Sequence, residues 1–127
     1  MAGADEAVEE VSSAEAGTVD LPHMALRRIR IDVAREQVLH VDAVRRACAA
    51  GAAGRLALEN AHETFAIAMV AAGRPTLAAD AVAALLAARP RCEATWSLAA
   101  RVARAAGDLE LASRREGVGR SLGVPAP

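Results

Sequence analysis

His62 and Glu63 open like the zincin motif H-E-x-x-H, in which two histidines one helical turn apart hold zinc and the glutamate serves as base. The fifth position here is Ala66, so the second ligand is missing, and His23 and His40 lie in separate segments. No metal centre is expected, and His62 reads as a half-exposed helix residue. Ser97 and Ser113 have no histidine close in sequence to act as base, so a nucleophile–base pair has no support. The glycines stand singly where helices should end; none forms a phosphate-cradling loop after a strand. The acidic residues of the body are scattered over expected solvent faces. Neither an enzyme nor a cofactor is expected.

The residues best placed to do something are basic. Arg101, Arg104, Arg114 and Arg115 form the densest cationic cluster in the chain. Arginines one turn apart, such as Arg101 and Arg104, can grip a carboxylate or an acidic peptide, although a solvated face accounts for such a cluster equally simply. Charge is unevenly spread. Residues 1–20 carry Asp5, Glu6, Glu9, Glu10, Glu15 and Asp20 and no base, whereas all 15 basic residues are arginines that follow position 26. Residues 1–22 thus read as an acidic disordered tail ahead of a mildly basic body, 23–127. With no lysine and almost no aromatic residues, direct nucleic-acid binding is not expected.

What would position these groups is a helical body. Apolar residues make up 54% of the 127, yet there is one Phe, one Trp and no Tyr. A core of Ala, Leu, Val, Ile and Met suits helices that approach closely, not a sandwich or barrel. Cys48 and Cys92 match no disulfide or C-x-x-C pattern; Cys48 reads as a small buried hydrophobe and Cys92 as an interhelix-turn residue, both reduced. There is no apolar run long enough to span a bilayer and no leader pattern, so a cytoplasmic location is expected.

Five helices are expected. Arg28–Val33 alternates polar and apolar, which signals either a short strand or an extended lead-in. Residues 34–50 follow as a helix with Val41, Val44 and Cys48 on its inner stripe and Arg45 and Arg46 outside, ended by Gly51 and Gly54. Residues 56–72 form the central helix, with Leu58, Ala61, Phe65, Met69 and Ala72 on one stripe and Ile67 and Val70 on a second apolar face. Gly73 caps it, and Pro75 suits the start of a helix that runs through Leu77, Val82, Leu85 and Leu86 to Arg89-Pro90. The last two helices cover residues 93–106 and 109–122, with Gly107 between them.

The alanines hide a repeat. Ala71-Ala72-Gly73-Arg74-Pro75-Thr76-Leu77-Ala78 and Ala105-Ala106-Gly107-Asp108-Leu109-Glu110-Leu111-Ala112 agree at five of eight positions, 34 residues apart. That is the period of the tetratricopeptide helix–turn–helix unit. The second unit resembles that repeat at Trp96, Ala100, Gly107-Asp108 and Ala112, and the first at Ala66, Gly73, Ala78 and Pro90. Small residues of this kind sit where two helices cross. Glu116 and Gly119 depart from the pattern, which leads to the expectation of a frayed last helix, or one capped by something else.

The ending Arg89-Pro90 … Glu93-Ala94-Thr95-Trp96 … Ala105-Ala106-Gly107-Asp108 … Ser121-Leu122-Gly123-Val124-Pro125, with the lead-in Arg28–Val33 and the helix end Ala49-Ala50-Gly51, resembles the bacterial transcriptional activator domain of antibiotic regulatory proteins. The resemblance covers roughly residues 28–125. It implies an all-α, tetratricopeptide-like superhelix of antiparallel helix pairs, serving as a protein-interaction or dimerisation module in transcriptional regulation. The winged helix that precedes this domain in those regulators is not expected within residues 1–27, so DNA binding is not carried over. In tetratricopeptide proteins the first helix of each unit lines a concave groove. Carried across, that role falls to Asn60, Glu63, Ile67 and Val70, and to Ser97, Arg101 and Arg104. The expected partner is another protein or an acidic peptide segment, with the chain's own residues 5–15 as a competitor for the groove. Self-association through the exposed flank of an Ala-rich end helix is a further expectation. The alternatives are a generic helical-repeat adaptor and a small ligand-binding helical protein unrelated to transcription.

Overall fold

The computed structural model describes residues 30–123, and within them the chain is helical with no strand. Residues 1–29 and 124–127, which include the acidic tail, lie outside the described residues. The helices are α1 (Val33–Ala49), α2 (Arg55–Ala71), α3 (Ala79–Ala88), α4 (Glu93–Ala105) and α5 (Leu109–Gly123). Short 3-10 turns at Gly51–Gly54 and Pro75–Ala78 lead into α2 and α3.

Each boundary has a local cause. The Asp32 carboxylate accepts the Arg35 amide at 3.1 Å, which caps α1 and makes Val33 its first helical residue. Of the alternating segment 28–33, residues 30–32 are therefore not a strand but the lead-in to a cap, and Arg28 and Ile29 are outside the described residues. The end of α2 is a Schellman turn. Gly73 stands at φ 74°, its amide donates to Val70 O at 3.1 Å, and the Arg74 amide donates to Met69 O at 2.8 Å. The end of α4 repeats it 34 residues later. Gly107 stands at φ 86°, with Gly107 N to Arg104 O at 3.0 Å and Asp108 N to Ala103 O at 3.0 Å. The two turns then diverge. Pro75 starts a 3-10 turn and delays α3, whereas the Asp108 side chain accepts the Leu111 amide and starts α5 directly.

Helix α2 is central, as its pattern predicts: it packs against α1 and α3 and also touches α4. The core joins Phe65 and Met69 of α2 to Val82 and Leu85 of α3 and to Leu98 and Val102 of α4. Alanines let these helices close in. Ala66, Ala78 and Ala112 are fully buried, and Ala100 nearly so. The second apolar face of α2 splits, since Val70 packs on the core while Ile67 is exposed. Leu77 is also exposed.

Helix α1 corrects the sequence expectation. Its inner stripe is not Val41, Val44 and Cys48: Val41 and Cys48 are exposed, Val44 is half-buried, and only Ala47 is fully buried. Cys48 is thus no buried hydrophobe. The inward line instead holds His40, whose ring stacks on Phe65 with centroids 4.2 Å apart, and Ala47, whose backbone meets Gly54. A Cβ at Gly54 would overlap the Ala47 carbonyl, which is why this position takes glycine. An imidazole can replace an aliphatic side chain here because it offers a flat face to Phe65 and a polar edge to a partner.

The last helix differs too. It is helical through Gly123, and α4 and α5 pack over more of their length than any other pair of elements. Gly119 lies buried against Trp96, and Glu116 forms an ion pair with Arg104 at 2.6 Å. The two residues that depart from the repeat pattern thereby hold α5 against α4.

Candidate functional site

Three polar arrangements and two clefts stand out among the described residues. The first arrangement was invisible in sequence. His40 on α1 and His62 on α2, 22 residues apart, place Nε2 and Nδ1 at 3.0 Å, with the rings edge to face. Only one ring can donate across that contact, so the other must accept through an unprotonated nitrogen. Burial lowers the pKa of both rings, and the neighbouring His62 lowers that of His40 further. Among the described residues no group of three or more His, Cys, Asp or Glu is gathered as metal ligands would be.

The second arrangement centres on Arg89, the residue that ends α3. Its Nε donates to Glu59 at 2.8 Å and its Nη1 to Glu63 at 3.3 Å, tying the α3–α4 turn back to α2. Glu59 and Arg89 are half-buried, and the Glu59 hydrogen bond foremost raises the guanidinium pKa. In the same turn the Trp96 indole N–H donates to Pro90 O at 2.8 Å. Hydrogen bonds from Thr95, side chain first, hold the Cys92 thiol below its ordinary pKa where it caps α4.

The third is the arginine cluster, which is less free than its composition suggests. Arg104 pairs with Glu116, Arg114 with Glu110 at 3.7 Å, and Arg115 donates to Ala99 O at 3.0 Å. Arg101 is exposed, and no described carboxylate lies within 4 Å of it.

The residues of the expected groove fall as follows. Asn60 lines a cleft of about 420 Å³ between α1 and α2, alongside Leu39, His40, Ala43 and Phe65. Glu63 is engaged by Arg89. Ile67 is exposed and Val70 half-buried on the core. Ser97 lines a second cleft, of about 310 Å³, between α4 and α5 with Glu93, Glu116 and Arg120. Arg101 is exposed on α4 with no ion pair among the described residues, and Arg104 is held by Glu116.

Compared with known protein families, curated proteins and solved structures, the chain matches none. No described helix is long and apolar enough to cross a membrane.

Proposed function

We propose that this chain is a non-enzymatic protein-interaction module of the tetratricopeptide-like kind, acting in transcriptional regulation. One observation carries the reading: the turn closing α2 and the turn closing α4 repeat hydrogen bond for hydrogen bond at a spacing of 34 residues. Units of that period stack their helices and offer the first helix of each pair to a partner. On this reading α2 and α4 are those first helices, and Asn60, Glu63, Ile67, Val70, Ser97, Arg101 and Arg104 meet the partner. Arg101 makes the leading contact because it is exposed and, among the described residues, has no acidic neighbour to displace. Arg104 follows once an incoming carboxylate competes with Glu116. The role in transcription rests on the resemblance of residues 28–125 to the bacterial transcriptional activator domain.

The test is capture from native lysate on wild-type chain beside Arg101→Glu, followed by titration of the captured protein's acidic segments. Reversal at Arg101 should weaken binding about 10-fold or more while leaving the fold intact. Equal capture by both chains would reject the arginine face. Specific capture of nothing would reject the interaction reading.

A further inference from the structure

The cleft between α1 and α2 carries one acidic and one basic residue along its length. The small residues Ala43, Ala57 and Ala61 line it beside His40, Asn60 and Thr64. Its two charged lining residues stand at opposite ends of α1, Glu36 near the start and Arg46 near the finish. Neither has an oppositely charged partner within 4 Å among the described residues. Leu39 is 46% exposed, a large apolar side chain left at the edge of an open groove.

A two-fold axis makes sense of this pattern. In an isologous contact residue i meets j and j meets i. If two copies of α1 lie antiparallel about an axis at Val41, Glu36 of each copy faces Arg46 of the other, and Leu39 of each meets Ala43 of the other. The α2 wall agrees. His40 meets His62 and Ala47 meets Gly54, so Val41 stands level with residues 60–61, midway between the lining residues Ala57 and Thr64. One axis therefore relates both walls of the cleft to themselves.

We propose that this α1–α2 face is a homodimer interface, in which a second copy of the chain fills the cleft as a four-helix arrangement and Glu36–Arg46 pairs set its register. The proposal deepens the interaction-module reading and rests on it. Small residues on both walls let the helices close in, and the uncharged centre with paired charges at its rim is the usual anatomy of a specific interface. The chain's own acidic segment is a poorer occupant: it could answer Arg46 but would set its carboxylates beside Glu36.

The test uses the full chain and sedimentation equilibrium over a wide concentration range. Wild type should show a concentration-dependent dimer. Glu36→Arg and Arg46→Glu each set like charges opposite one another twice, and each should raise the dissociation constant about 10-fold or more. An equimolar mixture of the two variants restores both pairs, so a heterodimer should form although neither variant dimerises well alone. Both positions lie on the helix surface, and circular dichroism verifies the fold. Wild type that stays monomeric to about 1 mM, a range in which weak specific contacts register, overturns the proposal. So does a mixture no tighter than its components. A chain that dimerises only after deletion of residues 1–22 likewise overturns it, naming the acidic segment as the occupant. These outcomes are separate from the lysate capture, which depends on Arg101 and not on Glu36 or Arg46.

Discussion

The His40–His62 contact shows how much one hydrogen bond can imply. It exists only while at least one ring is neutral, and both rings have pKa values below the ordinary histidine value. A histidine that resists protonation in the fold contributes stability that is complete above its unfolded pKa and lost as pH falls through the lowered folded value. Stability should therefore be level from pH 8 to about 7 and decline from about pH 6.5 downward. Urea unfolding at pH 7.5 and 5.5 measures the decline, and His62→Gln should lessen it, leaving the part due to burial of His40. The charges near these rings, Glu36 on α1 and the Arg89-bound Glu59 and Glu63 on α2, belong to both variants and cancel in the comparison. Glycine gives a second contrast at this scale. Gly54→Ala drives a methyl into the Ala47 carbonyl and should cost about 2 kcal/mol or more, as overpacking does. Gly119→Ala places its methyl 3.4 Å from Trp96 Cβ, an ordinary contact inside a helix, and should stabilise by about 0.5–1 kcal/mol. Thermal melts of the two variants should move in opposite directions.

At the scale of elements, what was legible in the sequence followed from local causes. Gly73 and Gly107 announced helix ends because their positive φ is strained for any residue with a Cβ, and Pro90 announced another because it cannot continue a helix. The inner face of α1 was not legible. An apolar stripe is a local pattern, but His40 points inward for the sake of Phe65 and His62, which lie more than twenty residues further on. The Arg89 link was hidden for the same reason, its partners being 30 and 26 residues away. Of the expected groove, sequence reading identified Arg101 as exposed cation but could not see that Arg104 and Glu63 already hold partners. The two arginine pairs also differ in weight. Arg89→Ala leaves Glu59 half-buried without its cation and should cost about 1–3 kcal/mol. Arg104→Ala, at an exposed pair, should cost less than about 1 kcal/mol. Denaturant midpoints decide whether that order holds.

At the scale of the molecule, burial among the described residues differs sharply from helix to helix. Helix α4 places six of its 13 residues in the interior, whereas α1 places one of 17. Apolar contact is the main cooperative tie between an element and the rest, so α1 should open first under native conditions. Amide hydrogen exchange followed by mass spectrometry should find α1 exchanging well ahead of α2 and α4 in dilute solution. If residues 33–49 prove as protected as 93–105 at low concentration, this order is wrong. The same difference explains why composition alone could point to helices but not to their depth: an alanine-rich segment reads alike at the centre and at the edge, and only its neighbours decide.

Trp96 ties these scales together in a practical way. It is the only tryptophan of a chain without tyrosine, its indole is hydrogen-bonded to the Pro90 carbonyl, and its Cβ sits against Gly119 of the last helix. Emission above 300 nm thus comes from a single chromophore at one junction. Any event that lifts α5 from α4 wets that indole and shifts its emission to the red, while an event confined to α1 leaves the spectrum still. The protein carries its own optical gauge, able to report which end of the bundle a binding partner disturbs.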